Sequence, residues 1–435
     1  SRRQRQMCIR DSQLLENIDR VPDLDPELKK RYIGEAKVLR AYNYYELYTK
    51  FGDIPYTTKV LSIKESMSIA RTDRATVIAN MLADLDEVIN GNYLPTSYDA
   101  DNKGRITRWA AMAIKAKIYL FEGNWTQVKN ITSTIMTEGG FTLFGSYAGL
   151  FEIANEYNSE VILDAQYRPT SREHQMMYAF LPPSLGGYSQ LSPLQELVDS
   201  YIMLDGKTIK ETGTSFDESN PYANRDPRLK ATVMYTGNSY TLADGTEVVI
   251  NCEKGEGKDG YGVGSDCSAT GYYIKKYWDN TYRATLYSGL NPILIRYADI
   301  LLMNAEALAE LGELDKTAWD ATIKPIRARA GFTLASAVEF PEGASKDKLI
   351  EIVRNERRSE LALEGHRHKD IIRWRIADDV LNGWCHGLKT NEVVGTDNGY
   401  VRVENRAFNA NKHYLWPIPQ AERDLNGNLV QNPNW

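Results

Sequence analysis

Three glutamates in the C-terminal part of the chain have the type and spacing that acid–base chemistry could use. Glu356, Glu360 and Glu364 stand four residues apart, which places them on one face of a helix. A glycosidase needs two carboxyl groups across a cleft, one of them with a raised pKa. Three arginines lie on the same stretch: Arg357, Arg358 and Arg367. Because a nearby guanidinium group keeps a carboxylate ionised, the pattern favours an ion-pair network that braces helices over catalysis.

Other spacings with chemical meaning are weaker. Residues 255–260 have the glycine spacing of a dinucleotide-binding loop, but they neither follow a clear strand nor open a helix. Residues 99–104 resemble the start of a calcium loop, yet Ala110 stands where an EF-hand needs a bidentate glutamate. His366 and His368 are two residues apart and diverge on a helix. The sequence therefore predicts no catalytic residue, no metal site and no cofactor, and it leaves calcium binding elsewhere open.

The chain has four cysteines, of which Cys252 and Cys267 stand 15 residues apart in a glycine-rich region. No close Cys or His pair flanks them, which argues against a zinc site. In an exported protein the two would be able to form a disulfide that clips a loop. The bonded and the free form are both open at this point.

Composition excludes some function classes. The net charge of −6 argues against a nucleic-acid partner, whose phosphates call for a basic surface. The 27 Tyr and 8 Trp, beside only 10 Phe, suit wet surfaces where a ring with a polar group contacts a ligand. No stretch approaches the roughly 20 apolar residues that span a bilayer. Residues 1–12 are basic and lead into no apolar signal core, so we expect a non-native N-terminal segment there.

Helical periodicity dominates the N-terminal part of the chain. Asp25 and Pro26 predict an N-cap and a first turn, and an apolar stripe then runs to Phe51 and Gly52. Three further helices are predicted, each after a capping residue: Thr72 or Asp73, then Thr107, then Asn124. Small alanines, an aromatic residue and a glycine at the turn give the last two helices a tetratricopeptide-like character.

A second helical pair is predicted much later, opening at Asn291, turning at Gly312 and returning over residues 318–330. Between about 140 and 290 the helical periodicity fades, turn residues multiply and short alternating pieces indicate a few strands. The predicted fold is therefore mainly α, a tetratricopeptide-like helical-pair scaffold with a large irregular insertion of loops and short strands. Loops that a rigid scaffold positions often carry binding residues, so we expect the ligand surface on the insertion.

Six segments match a known pattern, in the same order, over residues 31–435. They are residues 34–55, 104–111, 225–229, 296–307, 355–374 and 414–433. Among the most specific are the helix that starts at Arg296 and the Glu-Arg-Arg stretch at Glu356. Together they resemble the SusD/RagB family, the surface glycan-binding lipoproteins of Bacteroidota.

This resemblance implies a single SusD-like domain over residues 13–435. Its parts would be a helical scaffold (25–138 and 291–376), an insertion (about 140–290) and a C-terminal extended segment (377–435). It also implies a protein on the outward face of the outer membrane, held by a lipid anchor that lies upstream of this chain. The partners would be a glycan and a SusC-type TonB-dependent transporter that imports it, with no catalysis.

Sugar recognition requires aromatic rings against the C–H face of a pyranose and polar side chains for its hydroxyls. One stretch near the exit of the insertion supplies both types and is the predicted glycan site: Tyr277, Trp278, Asp279, Asn280, Tyr282 and Arg283. Tyr188 and Tyr222, beside glycine and proline turns, are weaker candidates. For any one ring the alternative is a strand edge whose ring packs inward.

Two other functions stay open from the sequence. One is a tetratricopeptide-like protein–protein adaptor, which needs a regular helical array; the long insertion counts against it. The other is an all-helical glycoside hydrolase, which would release products from glycans.

Overall fold

The computed structural model describes residues 2–281 and 286–435, with the backbone alone for residues 2–9. Its α-helices are α1 (Arg2–Asn17), α2 (Pro26–Phe51), α3 (Ile63–Ser66), α4 (Arg74–Asn90), α5 (Arg108–Phe121), α6 (Trp125–Glu138), α7 (Met176–Phe180), α8 (Gln195–Val198), α9 (Pro227–Thr232), α10 (Tyr297–Leu311), α11 (Lys316–Ala321), α12 (Ile323–Ala330), α13 (Ala335–Val338), α14 (Lys346–Glu360), α15 (Arg367–Arg373), α16 (Ala377–Val380) and α17 (Gln420–Leu425). Its strands are β1 (Val161–Asp164), β2 (Val233–Met234), β3 (Ser239–Thr241), β4 (Glu247–Val249), β5 (Tyr273–Ile274), β6 (Ile293–Arg296), β7 (Gly383–Lys389), β8 (Thr396–Asp397) and β9 (Tyr400–Arg406). The fold is mainly helical, as predicted, and no helix in the described part is long and apolar enough to cross a membrane.

Capping residues explain where the N-terminal helices begin. The Asp25 carboxylate accepts a hydrogen bond from the backbone N–H of Leu28 at 2.8 Å, at the start of α2. The caps of α4, α5 and α6 are the three predicted ones: Asp73, Thr107 and Asn124. Gly52 ends α2 with a φ of 70°, a region that favours glycine. The predicted starts of these four helices are confirmed.

The chain divides into two compact units. Unit 1 comprises Ser1–Gly140, His368–Leu381 and Phe408–Trp435, and unit 2 comprises Phe141–Arg367 and Asn382–Ala407. This division differs from the predicted segments, because the later helical pair and the irregular insertion fall in the same unit. The single domain proposed from the resemblance stays a prediction.

Unit 1 is built from helices that pack on their neighbours along the chain, α1 on α2, α2 on α4, α4 on α5 and α5 on α6. The stripe of α2 buries Tyr45 and Tyr48 against Phe121, and the rings of Tyr48 and Phe121 meet edge to face with centroids 5.9 Å apart. The C-terminal segment joins the same unit, where Trp416 donates its backbone N–H to the carbonyl of Lys50 at 2.7 Å.

Unit 2 places α10 against α14, with α12 packed on both. The predicted start of the α10 helix at Asn291 is wrong, because residues 293–296 form β6 and the helix begins at Tyr297. The run Ile-Leu-Ile that follows Pro292 is apolar and contains two β-branched residues, and it pairs antiparallel with β1. Gly312 ends α10 in the left-handed conformation, as the turn prediction requires.

The sheets of unit 2 are small and antiparallel. Two of them pair β2 with β5 and β3 with β4, and these are among the few short strands that the sequence predicts between about 140 and 290. A third sheet has the order β7-β9-β8 and comes from the C-terminal segment that was expected to be extended. A core beneath β2 and β5 includes Tyr201, Tyr240 and Tyr273, all fully buried. This core fixes the surface on which the candidate site lies.

Candidate functional site

Buried ion pairs connect the end of α14 to other elements of unit 2. The Glu360 carboxylate accepts hydrogen bonds from Arg228 Nη1 at 2.8 Å and from Arg296 Nη1 at 2.6 Å. It also accepts one from Arg329. Arg296 in turn lies 2.7 Å from an oxygen of Glu364. Glu364 belongs to the turn after α14 and not to the helix, so the three glutamates share one network without sharing one helical face.

The neighbouring arginines keep these three glutamates ionised. Burial alone would raise the pKa of Glu360, but the three guanidinium groups around it outweigh burial and hold that pKa far below its usual range. The pKa values of Glu356 and Glu364 are lowered for the same reason. A glycosidase acid needs a raised pKa. The geometry therefore agrees with the predicted ion-pair network.

A cleft of about 710 Å³ opens on unit 2. Three stretches of chain line it, near residues 218–222, 252–256 and 388–392. Further lining residues are Gln195, Thr236, Gly271, Tyr272 and Tyr400. Tyr222 and Tyr400 are part-buried and keep ring surface at the cleft, while Tyr272 is buried beneath them. The cleft thus combines aromatic surface with charged and amide side chains, the mixture that a polar organic ligand needs.

Tyrosine–tyrosine contacts fix the aromatic part of the cleft. Tyr222 stacks on Tyr235 with ring centroids 4.0 Å apart and planes at 15°. Its hydroxyl lies 3.2 Å from the hydroxyl of Tyr272, which donates to Gln195 Oε1 at 2.6 Å. Burial raises the pKa of Tyr222 to about 12, so the hydroxyl stays protonated. The ring is thereby held in one orientation before any ligand binds.

Ion pairs flank the rings. Lys389 Nζ lies 2.9 Å from Glu218 Oε1 and 5.6 Å from the ring centre of Tyr400. Lys254 pairs with Glu392, and both of these residues also line the cleft. All four charged side chains are exposed, so each pair contributes little to stability. Each of these two lysine ammonium groups is thus already paired with a carboxylate of the protein.

Two glycines allow β7 to reach the floor of the cleft. The backbone N–H of Leu388 donates to the Thr270 carbonyl at 2.7 Å. A methyl group at Gly387 would lie 2.6 Å from that carbonyl oxygen, and one at Gly271 would lie 1.7 Å from Leu388 Cδ2. Only glycine fits such an approach, which is how a distant part of the chain contributes Lys389 to the site.

A histidine of β7 lies between a carboxylate of α8 and a carboxylate of β8. His386 Nδ1 lies 2.7 Å from Glu196 Oε1, and its Nε2 lies 3.0 Å from Asp397 Oδ2. Burial would lower the pKa of His386, but the hydrogen bonds to Asp397 and Glu196 outweigh burial and raise it. Arg402 also pairs with Asp397, and Arg358 donates to the carbonyl of Glu196. Both imidazole nitrogens can donate to carboxylates only when the ring is protonated.

Of the predicted glycan-binding residues, Tyr222 lines the cleft. Tyr277 is 4% exposed and packs on Phe151 with ring centroids 5.0 Å apart. Asp279 is 1% exposed, and its carboxylate accepts hydrogen bonds from the side chains of Thr281 and Ser288. Both side chains point into the protein after β5, so neither Tyr277 nor Asp279 is available to contact a ligand.

Trp278 is half-buried beside that turn. Its Nε1 donates to the Thr241 carbonyl at 2.8 Å, and its ring lies 4.9 Å from that of Tyr240, centroid to centroid. It does not line the cleft. Tyr282 and Arg283 lie outside the described residues.

Two more predicted residues reach the surface away from the cleft. Asn280 is exposed, next to the inward-facing Asp279. Tyr188 is 41% exposed and stacks on Tyr178, with ring centroids 4.2 Å apart and planes at 25°. Stacked and exposed rings of this kind suit a sugar face, so Tyr188 stays a prediction, as do Trp278 and Asn280.

Of the two forms left open by the sequence, the structure has the free one, with Cys252 and Cys267 both as free thiols. Cys252 belongs to the core of unit 2, where burial raises the pKa of its thiol to about 12. The Cys267 thiol instead donates to the Lys258 carbonyl at 3.2 Å in the loop. The two side chains thus lie in different surroundings. Within residues 10–281 and 286–435 no group of three or more His, Cys, Asp and Glu side chains could hold a metal ion.

Tyr400, Lys389 and Asn391 are among the cleft residues that the sequence did not predict. They follow or belong to β7 and β9, far along the chain from the insertion where ligand contacts were expected. One signal was present: Gly387 stands within an alternating strand, where a glycine often marks the close approach of another backbone.

Comparisons with known proteins agree with this architecture. A family model described as the SusD family matches residues 150–435, and one described as starch-binding associating with outer membrane matches residues 6–120. The second match begins inside the segment 1–12 that was expected to be non-native, so residues 6–12 are matched as part of the family pattern.

Individual relatives point the same way. The chain is 28% identical to the SusD-like protein P25 of Formosa agariphila, over 96% of this chain and 75% of the relative. A SusD-like carbohydrate binding protein from Bacteroides fragilis superposes with a TM-score of 0.86 at 29% identity, covering 97% of this chain and 84% of that one. A laminarin binding SusD-like protein shares the fold, with a TM-score of 0.67, 24% identity and coverage of 98% and 83%. Since the family model spans more than half of the sequence and the resemblance of the six segments is thereby confirmed, the chain belongs to the SusD family.

Proposed function

We propose that this protein captures oligosaccharides or polysaccharides at the outward face of the outer membrane and delivers them, chemically unchanged, to a SusC-type TonB-dependent transporter. The observation that carries the proposal is the cleft of unit 2, in which part-buried tyrosine rings stand beside exposed carboxylate and amide groups. A lipid anchor on the N-terminal side of this chain would hold the protein at the membrane.

The chemistry of the cleft fits a sugar. A pyranose has an apolar C–H face that packs on a ring such as Tyr222, and its hydroxyls donate to carboxylate and amide oxygens. Tyr222 is held in place by Tyr235 and Tyr272, so binding does not have to order the ring. Pre-organisation of this kind strengthens binding because less conformational entropy is lost.

The family supports the ligand class and the location. The relative from Bacteroides fragilis is named as carbohydrate binding, and the more distant fold neighbour as laminarin binding. The family model over residues 6–120 is described as associating with the outer membrane. The ion-paired state of Glu356, Glu360 and Glu364 supports capture without hydrolysis.

Affinity electrophoresis through native gels that contain a panel of polysaccharides tests the proposal. We expect at least one polysaccharide to retard the protein and Tyr222→Ala to weaken that binding about tenfold, which corresponds to about 1.4 kcal/mol for a lost ring contact. Tyr287→Ala, a half-exposed tyrosine of unit 2 outside the cleft, is the matched control. If no polysaccharide in a broad panel retards the protein, glycan capture is wrong.

Two further variants separate the cleft from the sites predicted by sequence. Trp278→Ala and Tyr188→Ala should bind like the wild type if the cleft alone holds the glycan. Weaker glycan binding by either variant would show that the substituted residue belongs to the glycan site. Isolation of the tagged, anchored protein from outer membranes, with mass spectrometry of its partners, tests delivery to a TonB-dependent transporter. Enrichment of unrelated soluble proteins in its place would favour the adaptor alternative.

A further inference from the structure

We infer that the cleft of unit 2 is selective for glycans that carry no sulfate or carboxylate groups. This inference rests on the proposed function and narrows its ligand class. It follows from the number, the pairing and the hydrogen-bonding type of the charged side chains that line the cleft.

The lining is acidic. In the part of the chain that the structure describes, six charged side chains contribute to it: Glu218, Glu253, Lys254, Glu256, Lys389 and Glu392. Four are carboxylates and two are ammonium groups, which leaves a net charge of −2 from these residues. The whole chain has the same sign, with a net charge of −6. An anionic polymer therefore approaches a surface of its own charge, both from a distance and at contact.

Both ammonium groups are already engaged. Lys389 Nζ lies 2.9 Å from Glu218 and over the ring of Tyr400. Lys254 pairs with Glu392. An incoming sulfate or uronate could reach either ammonium group only by displacing a carboxylate of the protein, which would then remain beside the anion. Among the described residues that line the cleft there is no arginine, the residue best suited to bind such groups through two hydrogen bonds.

The carboxylates without a partner are acceptors. Glu253 and Glu256 are exposed at the cleft and have no ion pair or side-chain hydrogen bond among the described residues. An ionised carboxylate accepts hydrogen bonds and donates none. Sugar hydroxyls can donate to it, whereas a sulfate ester or an ionised uronate offers acceptors alone. Asn391, also exposed and without a side-chain partner in this part of the structure, adds a group that donates and accepts.

The test compares matched polymers on the full chain. Native gels would contain laminarin, mannan, arabinan or dextran. Each polysaccharide that retards the protein would be compared with its sulfated derivative and with a methylated derivative of the same degree of substitution. The methylated polymer loses hydroxyls without gaining charge, so it separates the effect of charge from that of hydroxyl loss. Polygalacturonate and chondroitin sulfate serve as naturally anionic polymers.

We expect the sulfated derivative to bind at least tenfold more weakly than the methylated one, and the two natural polyanions not to retard the protein. The difference in affinity between the methylated and the sulfated polymer should become several-fold smaller when Glu253→Gln is combined with Glu256→Gln. This double substitution removes two negative charges and supplies amide donors. Glu342→Gln, an exposed glutamate of unit 2 outside the cleft, should leave that difference unchanged.

The outcomes are distinct. Sulfated or uronate polymers that bind as tightly as neutral ones, or more tightly, overturn the charge selectivity and leave glycan capture standing. A difference in affinity that the double variant does not change assigns the selectivity to another surface and overturns the role of the cleft. A protein that no polymer of either kind retards overturns the proposed function, and this inference with it.

Discussion

Replacing Glu360 with glutamine should destabilise unit 2 strongly. Glu360 is fully buried and accepts hydrogen bonds from Arg228 at 2.8 Å and from Arg296 at 2.6 Å, besides one from Arg329. Glutamine keeps the shape of the side chain, but it removes the negative charge and turns an N–H donor toward guanidinium donors. The substitution thus leaves buried positive charge without its main counter-charge.

The size of the effect follows from this geometry. Removing one partner of a buried ion pair costs about 3–5 kcal/mol. Arg296 keeps Glu160 and Glu364 at 2.7 Å, so we expect the lower end of that range. For a unit of this size 1 kcal/mol lowers the Tm by about 2–4 °C. The Tm of the variant should therefore fall by about 6–12 °C.

Thermal unfolding followed by circular dichroism and by tryptophan fluorescence measures this change, with Glu342→Gln as the control that removes an exposed charge. The Tm of the control variant should equal that of the wild type. A Tm of Glu360→Gln within about 2 °C of the wild type would refute the ion-pair network as the role of this residue. A variant of normal stability that lost glycan hydrolysis would point to catalysis instead.

Two other changes have defined outcomes. The pKa of His386 is raised in the folded protein. The stability that its two carboxylate contacts contribute is therefore fully present below the unfolded pKa of about 6.5 and is lost as the pH rises through the folded pKa. His386→Gln should remove this part of the pH dependence above about pH 6.5. Thermal unfolding curves of the variant that still follow the wild type as the pH rises would contradict this role of His386. Without a reductant, a thiol reagent should label Cys267 in the native protein and Cys252 only after unfolding; thiols that appear only after reduction would show a disulfide.

Local signals in the sequence predicted the N-terminal helices well. Asp25 at α2 and Thr107 at α5 are side chains that satisfy backbone N–H groups of their own helix, so neighbouring residues determine where these helices begin. The start of α10 was predicted wrongly because the conformation of the residues before it depends on a strand that is distant in sequence. The residues after Asn291 pair with β1, which lies far away in sequence, and no local pattern reports that pairing.

The candidate site shows the same limit. Tyr222 could be predicted as a turn tyrosine, but the ring that stacks on it and the strand that brings Lys389 to it are distant in sequence. The Tyr277 stretch has the right residue types for sugar binding, yet packing against Phe151 turns that ring inward. Residue types thus indicate the chemistry of a ligand, whereas tertiary packing decides which rings remain available to it.

The central claim is that this protein holds a glycan without altering it. The most direct measurement incubates the purified protein with the polysaccharide that retards it and determines both the bound fraction and the chain length of the polymer afterwards. We predict saturable binding that Tyr222→Ala weakens and a polymer whose length distribution is unchanged. Release of shorter oligosaccharides by the pure protein, or saturable binding that no substitution in the cleft affects, would contradict the account.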